Sequence, residues 1–190
     1  MNENMKKKYI CLGLMSGTSG DGVDASVIET DGNLHPNKMN YFKEIENQYY
    51  PYEISIHNKI HDLNKKVNNT KDLKKLNTEI KDLERLITLF HGKSINNLIK
   101  KHNVDVIGFH GHTIYHNAKE KISKQIGDAN LLSQITQRDV VYNFRQNDIM
   151  NGGNGAPLTP VFHLAISKQK QIKPPWDNFK HWRHIQSYMV

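Results

Sequence analysis

Four stretches of the 190-residue sequence hold residue types that chemistry can use. The first is Gly13-Leu14-Met15-Ser16-Gly17-Thr18-Ser19-Gly20-Asp21-Gly22-Val23-Asp24. Its glycines let the backbone approach a ligand closely. Ser16, Thr18 and Ser19 add hydroxyls and exposed N–H donors, which suit phosphate. Asp21 and Asp24 suit a metal ion or an oriented water better than direct contact with phosphate. The alternative is a glycine-rich β-hairpin that holds no ligand. The second stretch is His110-Gly111-His112-Thr113, which His116 extends to H-x-H-x3-H. Three imidazoles at that spacing can bind zinc, but no cysteine accompanies them, and polar residues lining a small-molecule cleft are the preferred reading. Gln125-Ile126-Gly127-Asp128 is the third. The fourth runs from Phe144-Arg145 through Asp148 to Gly152-Gly153-Asn154-Gly155-Ala156-Pro157-Leu158. Asp148 is a candidate general base, and Arg145 can neutralise charge or fix a partner. Otherwise Asp148 merely caps a helix. Neither G-x-x-x-x-G-K-[ST] nor G-x-G-x-x-G occurs, so any phosphate must be held by a hairpin.

The elements that position these residues follow from periodicity. Residues 8–15 and 23–30 read as strands, residues 38–47 as a third, and together they make an antiparallel meander. Tyr49-Tyr50-Pro51 breaks the pattern, and a helix is expected to begin near Glu53. From Thr70, Leu73, Leu76, Ile80, Leu83, Leu86, Ile87 and Phe90 form one apolar helical stripe, with Gly92 as the point where it bends or ends. This helix reads as core packing and nothing more. Residues 103–109 are a short β-branched strand that delivers His110 to its C-terminal end, where ligands gather in open α/β sheets. A short helix through Leu131, Leu132 and Ile135, and a strand at residues 139–142, complete an α/β pattern with a mixed sheet.

Charge and composition narrow the class. The net charge is +7, and residues 59–101 hold 11 Lys/Arg against 5 Asp/Glu, so most of the excess is local. Ten of the eleven are lysine and aromatics are not interleaved, so a solvated helix face is favoured over a nucleic-acid surface. Cys11 is the only cysteine. An intrachain disulfide is impossible, a reducing compartment is the simpler assumption, and a buried inert thiol is expected. Lys6-Lys7-Lys8 before residues 9–15 imitates a signal peptide, but the apolar run is short and broken by Gly13. No apolar stretch is long enough to span a membrane, and a cytoplasmic protein is expected.

Taken together, the motifs resemble the bacterial anhydro-N-acetylmuramic acid kinases of the actin-like, sugar-kinase superfamily. That family opens on Gly-Leu-Met-Ser-Gly-Thr-Ser-x-Asp-Gly-(Val/Ile)-Asp, matched from Gly13 to Asp24 with Gly20 where leucine is usual. His-Gly-Gln-Thr is matched at His110, Gly111 and Thr113, with His112 for glutamine. Gln-Ile-Gly-Asp is present, and Asp-Phe-Arg-x-x-Asp-x-Ala-x-Gly-Gly-x-Gly-Ala-Pro-Leu-x-Pro is matched apart from Asn143 and Met150. The resemblance implies a ribonuclease-H-like N-terminal lobe with flanking helices over residues 1–173. It implies that ATP phosphorylates 1,6-anhydro-N-acetylmuramic acid on O6 while water opens the anhydro bridge, in cytoplasmic cell-wall recycling. Gly17, Thr18, Ser19, Gly20, Asp21, Gly22, Val23 and Asp24 would hold ATP phosphates, with Mg²⁺ at Asp21. Asp148 would activate the water, and His110, Thr113, Asp128 and Arg145 would meet the sugar. No nucleic acid or membrane partner is expected, and the full-length family leaves a homodimer open.

Such kinases are roughly twice this long, so the second lobe is expected to be absent. Residues 174–190 do not resemble the family and are expected to form an aberrant, disordered tail. Read one base later, the single tryptophan codon turns Trp176 and Trp182 into glycine. Permitted codons for residues 180–186 then spell Asn-Ile-Gly-Gly-Ile-Ser-Asn, a strand the family expects. A frameshift near residues 173–175 follows, and a gene whose downstream +1 frame does not encode the second lobe would refute it. Two rivals to a working kinase remain: a non-catalytic remnant that keeps part of the sugar cleft, and a nucleic-acid-binding module.

Overall fold

The computed structural model describes residues 7–33, 41–169 and 171. Strands β1 (Tyr9–Ser16), β2 (Gly22–Thr30) and β3 (Phe42–Pro51) form the expected antiparallel meander. Helices α1 (Ile54–Lys66), α2 (Thr70–Lys75) and α3 (Asn77–His102) follow, and they lead back into β4 (Val106–Asn117). The chain then runs through β5 (Ile122–Ile126), α4 (Ala129–Thr136), β6 (Asp139–Tyr142), α5 (Phe144–Met150) and α6 (Pro160–Gln169). The sheet order is β3-β2-β1-β4, and β4 pairs with β5 along its later residues and with β6 along its earlier ones. β1, β4 and β6 are parallel to one another. This is the α/β lobe with a mixed sheet and flanking helices that the resemblance implies.

Strand alternation sets the two faces. Leu12, Leu14, Val23, Ala25, Val27, Ile107 and Phe109 are buried with Ile56, Ile60, Leu63, Ile87 and Ile95 of α1 and α3 in one core. On the other face, Gly13, Met15, Asp24, Ser26 and Gly108 meet Phe144 of α5 and Phe162 of α6 around a cavity of about 550 Å³. Cys11 is half-buried rather than fully buried, and burial together with Asp105 raises its thiol pKa.

Three boundaries differ from those the sequence suggests. β3 continues through Tyr49-Tyr50-Pro51, with Pro51 opposite Gly22. β3 is the edge strand, and its last position needs no ladder N–H from proline. The start of the expected third strand, residues 38–40, lies outside the described residues, as does the expected tail at 174–190. The long apolar helix breaks at Leu76 (φ −96°, ψ 15°), where Asn69 and Asp72 have already closed a reciprocal capping box at the head of α2. Gly92 instead lies buried within α3 and permits close packing: a Cβ there would stand 2.9 Å from Ile135 Cγ2 of α4. Finally, β4 does not end at Phe109 but carries His110 to Thr113 within it. Gly111, at φ +70°, turns the strand where β6 stops and β5 takes over.

Candidate active site

The glycine-rich hairpin joins β1 to β2. Gly20 N–H closes its turn onto Gly17 O at 3.0 Å, and Tyr52 N–H donates to Asp21 O at 2.8 Å. Two histidines one turn apart on α1 grip the tip from beneath. His57 Nδ1–H donates to Gly20 O (3.0 Å) and His61 Nε2–H to Ser19 O (2.9 Å). With those carbonyls held, Thr18 and Ser19 lie exposed at the apex, and their amides have no hydrogen-bond partner among the described residues. This donor set fits a phosphate. Asp21 is exposed and 3.8 Å from His57 Nδ1, and no group of three metal-ligating side chains occurs among the described residues. Any Mg²⁺ held by Asp21 would therefore rely mainly on phosphate and water ligands. Gly22 and Val23 are buried, the valine side chain in the core. Asp24 faces the cavity on the other side of the sheet, where burial raises its pKa.

His112 sits behind the hairpin, fully buried. Asn64 Nδ2 donates to its Nε2 (3.4 Å), which leaves Nδ1–H to donate to Ser16 Oγ at 3.2 Å. Burial, with His110 and His61 nearby, depresses its pKa to about 4. The imidazole is neutral at pH 7. The bend at Gly111 separates its neighbours, because His110 reaches the opposite group of residues: Arg145 Nε–H donates to His110 Nε2 (2.7 Å) and His110 Nδ1–H to Gly111 O (2.9 Å). Burial and the guanidinium lower the His110 pKa as well. His116 pairs with Ser123 Oγ instead (3.0 Å). The H-x-H-x3-H spacing therefore does not gather a metal site among the described residues.

A cleft of about 320 Å³ opens beside His110, lined by Glu84, Lys124, Gln125, Gly127, Asp128 and Tyr142 among others. The Gln125–Asp128 turn is fastened from α3. Glu84 Oε1 accepts Gly127 N–H at 3.1 Å, and Thr88 Oγ1 accepts Asp128 N–H at 2.9 Å while donating to Glu84 O at 2.7 Å. Asp128 Oδ1 in turn caps α4 by accepting Leu131 N–H (2.9 Å). α3 therefore does more than pack the core. Glu84 and Thr88 were hidden in sequence because one looks like a solvent-face carboxylate and the other like a spacer in the apolar stripe. Asn64, His57 and His61 went unnoticed for the same reason, although the i,i+4 spacing of the two histidines does put them on one helix face.

Asp148 lies inside α5, three residues beyond Arg145, and does not cap a helix. Its Oδ2 accepts Gly155 N–H at 2.8 Å, and Arg145 Nη1–H donates to Gly155 O at 2.8 Å. The glycine-rich loop folds tightly over the carboxylate: a Cβ on Gly153 would fall 2.1 Å from Asp148 Oδ2. Oδ1 has no hydrogen-bond partner among the described residues. Asn143 precedes α5 at φ +63°, a left-handed conformation that asparagine accepts readily. The structure thus brings all four motifs to the C-terminal edge of the parallel strands. His110 and Asp128 line the cleft and Arg145 touches it through His110, whereas Thr113 (whose Oγ1 accepts from Gln125 Nε2 at 3.2 Å) and Asp148 are not among its lining residues.

A family model described as anhydro-N-acetylmuramic acid kinase matches residues 8–175. The chain belongs to that family. Among curated relatives with the same name, the protein of Pelagibacter ubique is 53% identical over 173 residues, covering 90% of this chain and 44% of its own length. That of Gluconobacter oxydans is 39% identical (86% and 43% covered), and that of Agrobacterium fabrum 35% (82% and 42%). The chain therefore spans less than half the length of these relatives. Two of its departures from the kinase signature motifs, Gly20 and His112, are neighbours in space. A Cβ at Gly20 would lie 3.8 Å from His112 Cε1 and 2.8 Å from Ile60 Cγ2, at a φ of +66°. A leucine cannot enter this turn as it stands.

Proposed function

We propose that this chain supplies the sugar cleft and one phosphate-facing hairpin of an ATP-dependent kinase that converts 1,6-anhydro-N-acetylmuramic acid and water to N-acetylmuramic acid 6-phosphate, in cytoplasmic peptidoglycan recycling. The observation that carries this reading is the meeting of all four motifs at one sheet edge, with Arg145 bonded both to His110 of the cleft and to the loop that holds Asp148. Thr18 and Ser19 would hold phosphate oxygens and Asp21 the Mg²⁺. When bound, ATP with its Mg²⁺ supplies the phosphoryl group that the released sugar oxygen accepts.

The remaining chemistry belongs to the chain's own residues. Gly155 N–H fixes Asp148 through Oδ2, so Oδ1 is the oxygen that takes the proton of the attacking water. The water oxygen bonds to the anomeric carbon as the bond from that carbon to the bridging oxygen breaks. Asp128 and His110 orient the sugar. His110 Nε2 is already occupied by Arg145, so the imidazole positions and does not transfer a proton. Purified chain given ATP, Mg²⁺ and the anhydro-sugar is expected to yield the 6-phosphate by mass spectrometry. Asp148→Asn keeps an oxygen acceptor for Gly155 N–H, and it is expected to lower that yield by roughly 10²- to 10⁴-fold, the usual contribution of a general base. Undiminished turnover in Asp148→Asn would remove Asp148 from the role. The length of the relatives favours one second reading, a sugar-binding fragment without turnover. Sugar binding with no product from the wild-type chain would establish it.

A further inference from the structure

We infer that Lys124 reads the carboxylate of the anhydro-sugar acid and so makes the cleft select the muramic acid over neutral anhydro-sugars. This rests on the sugar reading above. The substrate named for the relatives is an acid, and its negative charge has to be met somewhere in the cleft. Among the described residues three formally charged side chains line that cleft, Glu84, Lys124 and Asp128, and of these only Lys124 is cationic, while Arg145 behind it is bonded to His110 Nε2 and Gly155 O. The two carboxylates already have fixed N–H donors, from Gly127 and Leu131. Lys124, by contrast, is loosely held. Its Nζ stands 3.4 Å from Glu84 Oε1, the oxygen that Gly127 N–H also uses, whereas Lys66 and Lys101 sit 2.7 Å from their glutamates. A good charge-assisted N–H···O bond is about 2.7–2.9 Å, so the ammonium keeps donors for a better acceptor. Its side chain is 40% exposed, and β5 holds its backbone next to Gln125 at the cleft wall. Glu84 keeps the Gly127 amide as a donor when the ammonium turns to another acceptor.

The test is calorimetric titration of the full chain with 1,6-anhydro-N-acetylmuramic acid and with its methyl ester, a neutral molecule of nearly the same shape. The wild-type chain is expected to prefer the acid by about tenfold, a preference that shrinks with added salt, as for a partly exposed ion pair. Lys124→Met is expected to bind acid and ester alike, at the affinity of wild type for the ester, and Lys124→Arg to keep the preference. A Lys124→Met chain that still prefers the acid, or a wild-type chain that never does, overturns the inference and leaves the sugar reading standing. Loss of the ester as well as the acid in Lys124→Met makes Lys124 structural, and also overturns it. Binding of neither molecule by wild type overturns the sugar reading and this inference together.

Discussion

Replacing Gly111 with alanine is expected to destabilise the lobe by about 3–5 kcal/mol, the size of a severe backbone clash, and to lower the thermal midpoint by roughly 10 °C. Two terms add. Gly111 holds φ at +70°, where a Cβ is strained, and that Cβ would lie 2.4 Å from the carbonyl oxygen of Ile126. The oxygen belongs to the sheet backbone and cannot step aside without breaking the β4–β5 pairing at His112 and Ile126. Gly152 isolates the first term, since it sits at φ +91° with nothing within 4 Å of its Cβ position. Gly152→Ala is therefore expected to cost only about 1 kcal/mol. Urea unfolding of both variants checks the difference. Equal losses would mean that the bend in β4 is not packed as described, and with it the separation of His110 from His112.

Stability is expected to fall as the pH drops from about 6.5 to about 4, through His91 and His112. Burial holds both pKa values down to about 4, from an ordinary 6.5. Across that interval the unfolded chain binds more protons than the folded one, so acidification favours unfolding. Each histidine contributes on the order of 2–3 kcal/mol by the low end. His91 Nδ1–H donates to Ile87 O (2.8 Å), but its buried Nε2 has no hydrogen-bond partner among the described residues, and its ring packs against Tyr52 and Phe109. His91→Phe is therefore expected to be tolerated at pH 7 and to flatten the pH dependence, as His112→Gln is. Glu46, drawn down to about 2 by Lys101 and His102, loses its contribution only below about pH 4.5, so the two windows separate. Urea midpoints between pH 4 and 7 check this. A profile for the double variant as steep as that of wild type would contradict the burial of these imidazoles.

Much of this architecture was legible because its causes are local. Alternating apolar residues around a glycine turn define β1 and β2, and a stripe at helical spacing defines α3. What was not legible depends on neighbours distant in sequence. Pro51 reads as a breaker until its place on the sheet edge is known. Leu76 carries no glycine or proline to announce a break. His110 to Thr113 read as the end of a strand because β5, the partner that prolongs it, lies ten residues further on. In the site, the motif residues stood out by type, whereas Glu84, Thr88, Lys124 and the α1 histidines have ordinary helix or strand surroundings. Only the fold carries them to the motifs. His57 and His61 show the consequence most clearly, since they fix the carbonyls of a hairpin some 40 residues earlier.

The four motifs meet at one sheet edge, where the cleft beside His110 is proposed to take the anhydro-sugar and the hairpin the phosphates. Amide chemical shifts of the isotope-labelled chain, titrated with 1,6-anhydro-N-acetylmuramic acid, test this arrangement. Saturable shifts are expected at residues 84, 109–111, 123–130 and 142–148, with the hairpin at 17–22 responding only when ATP and Mg²⁺ are added. Saturable shifts at the hairpin with the cleft unmoved, or no saturable shift at all, would contradict it.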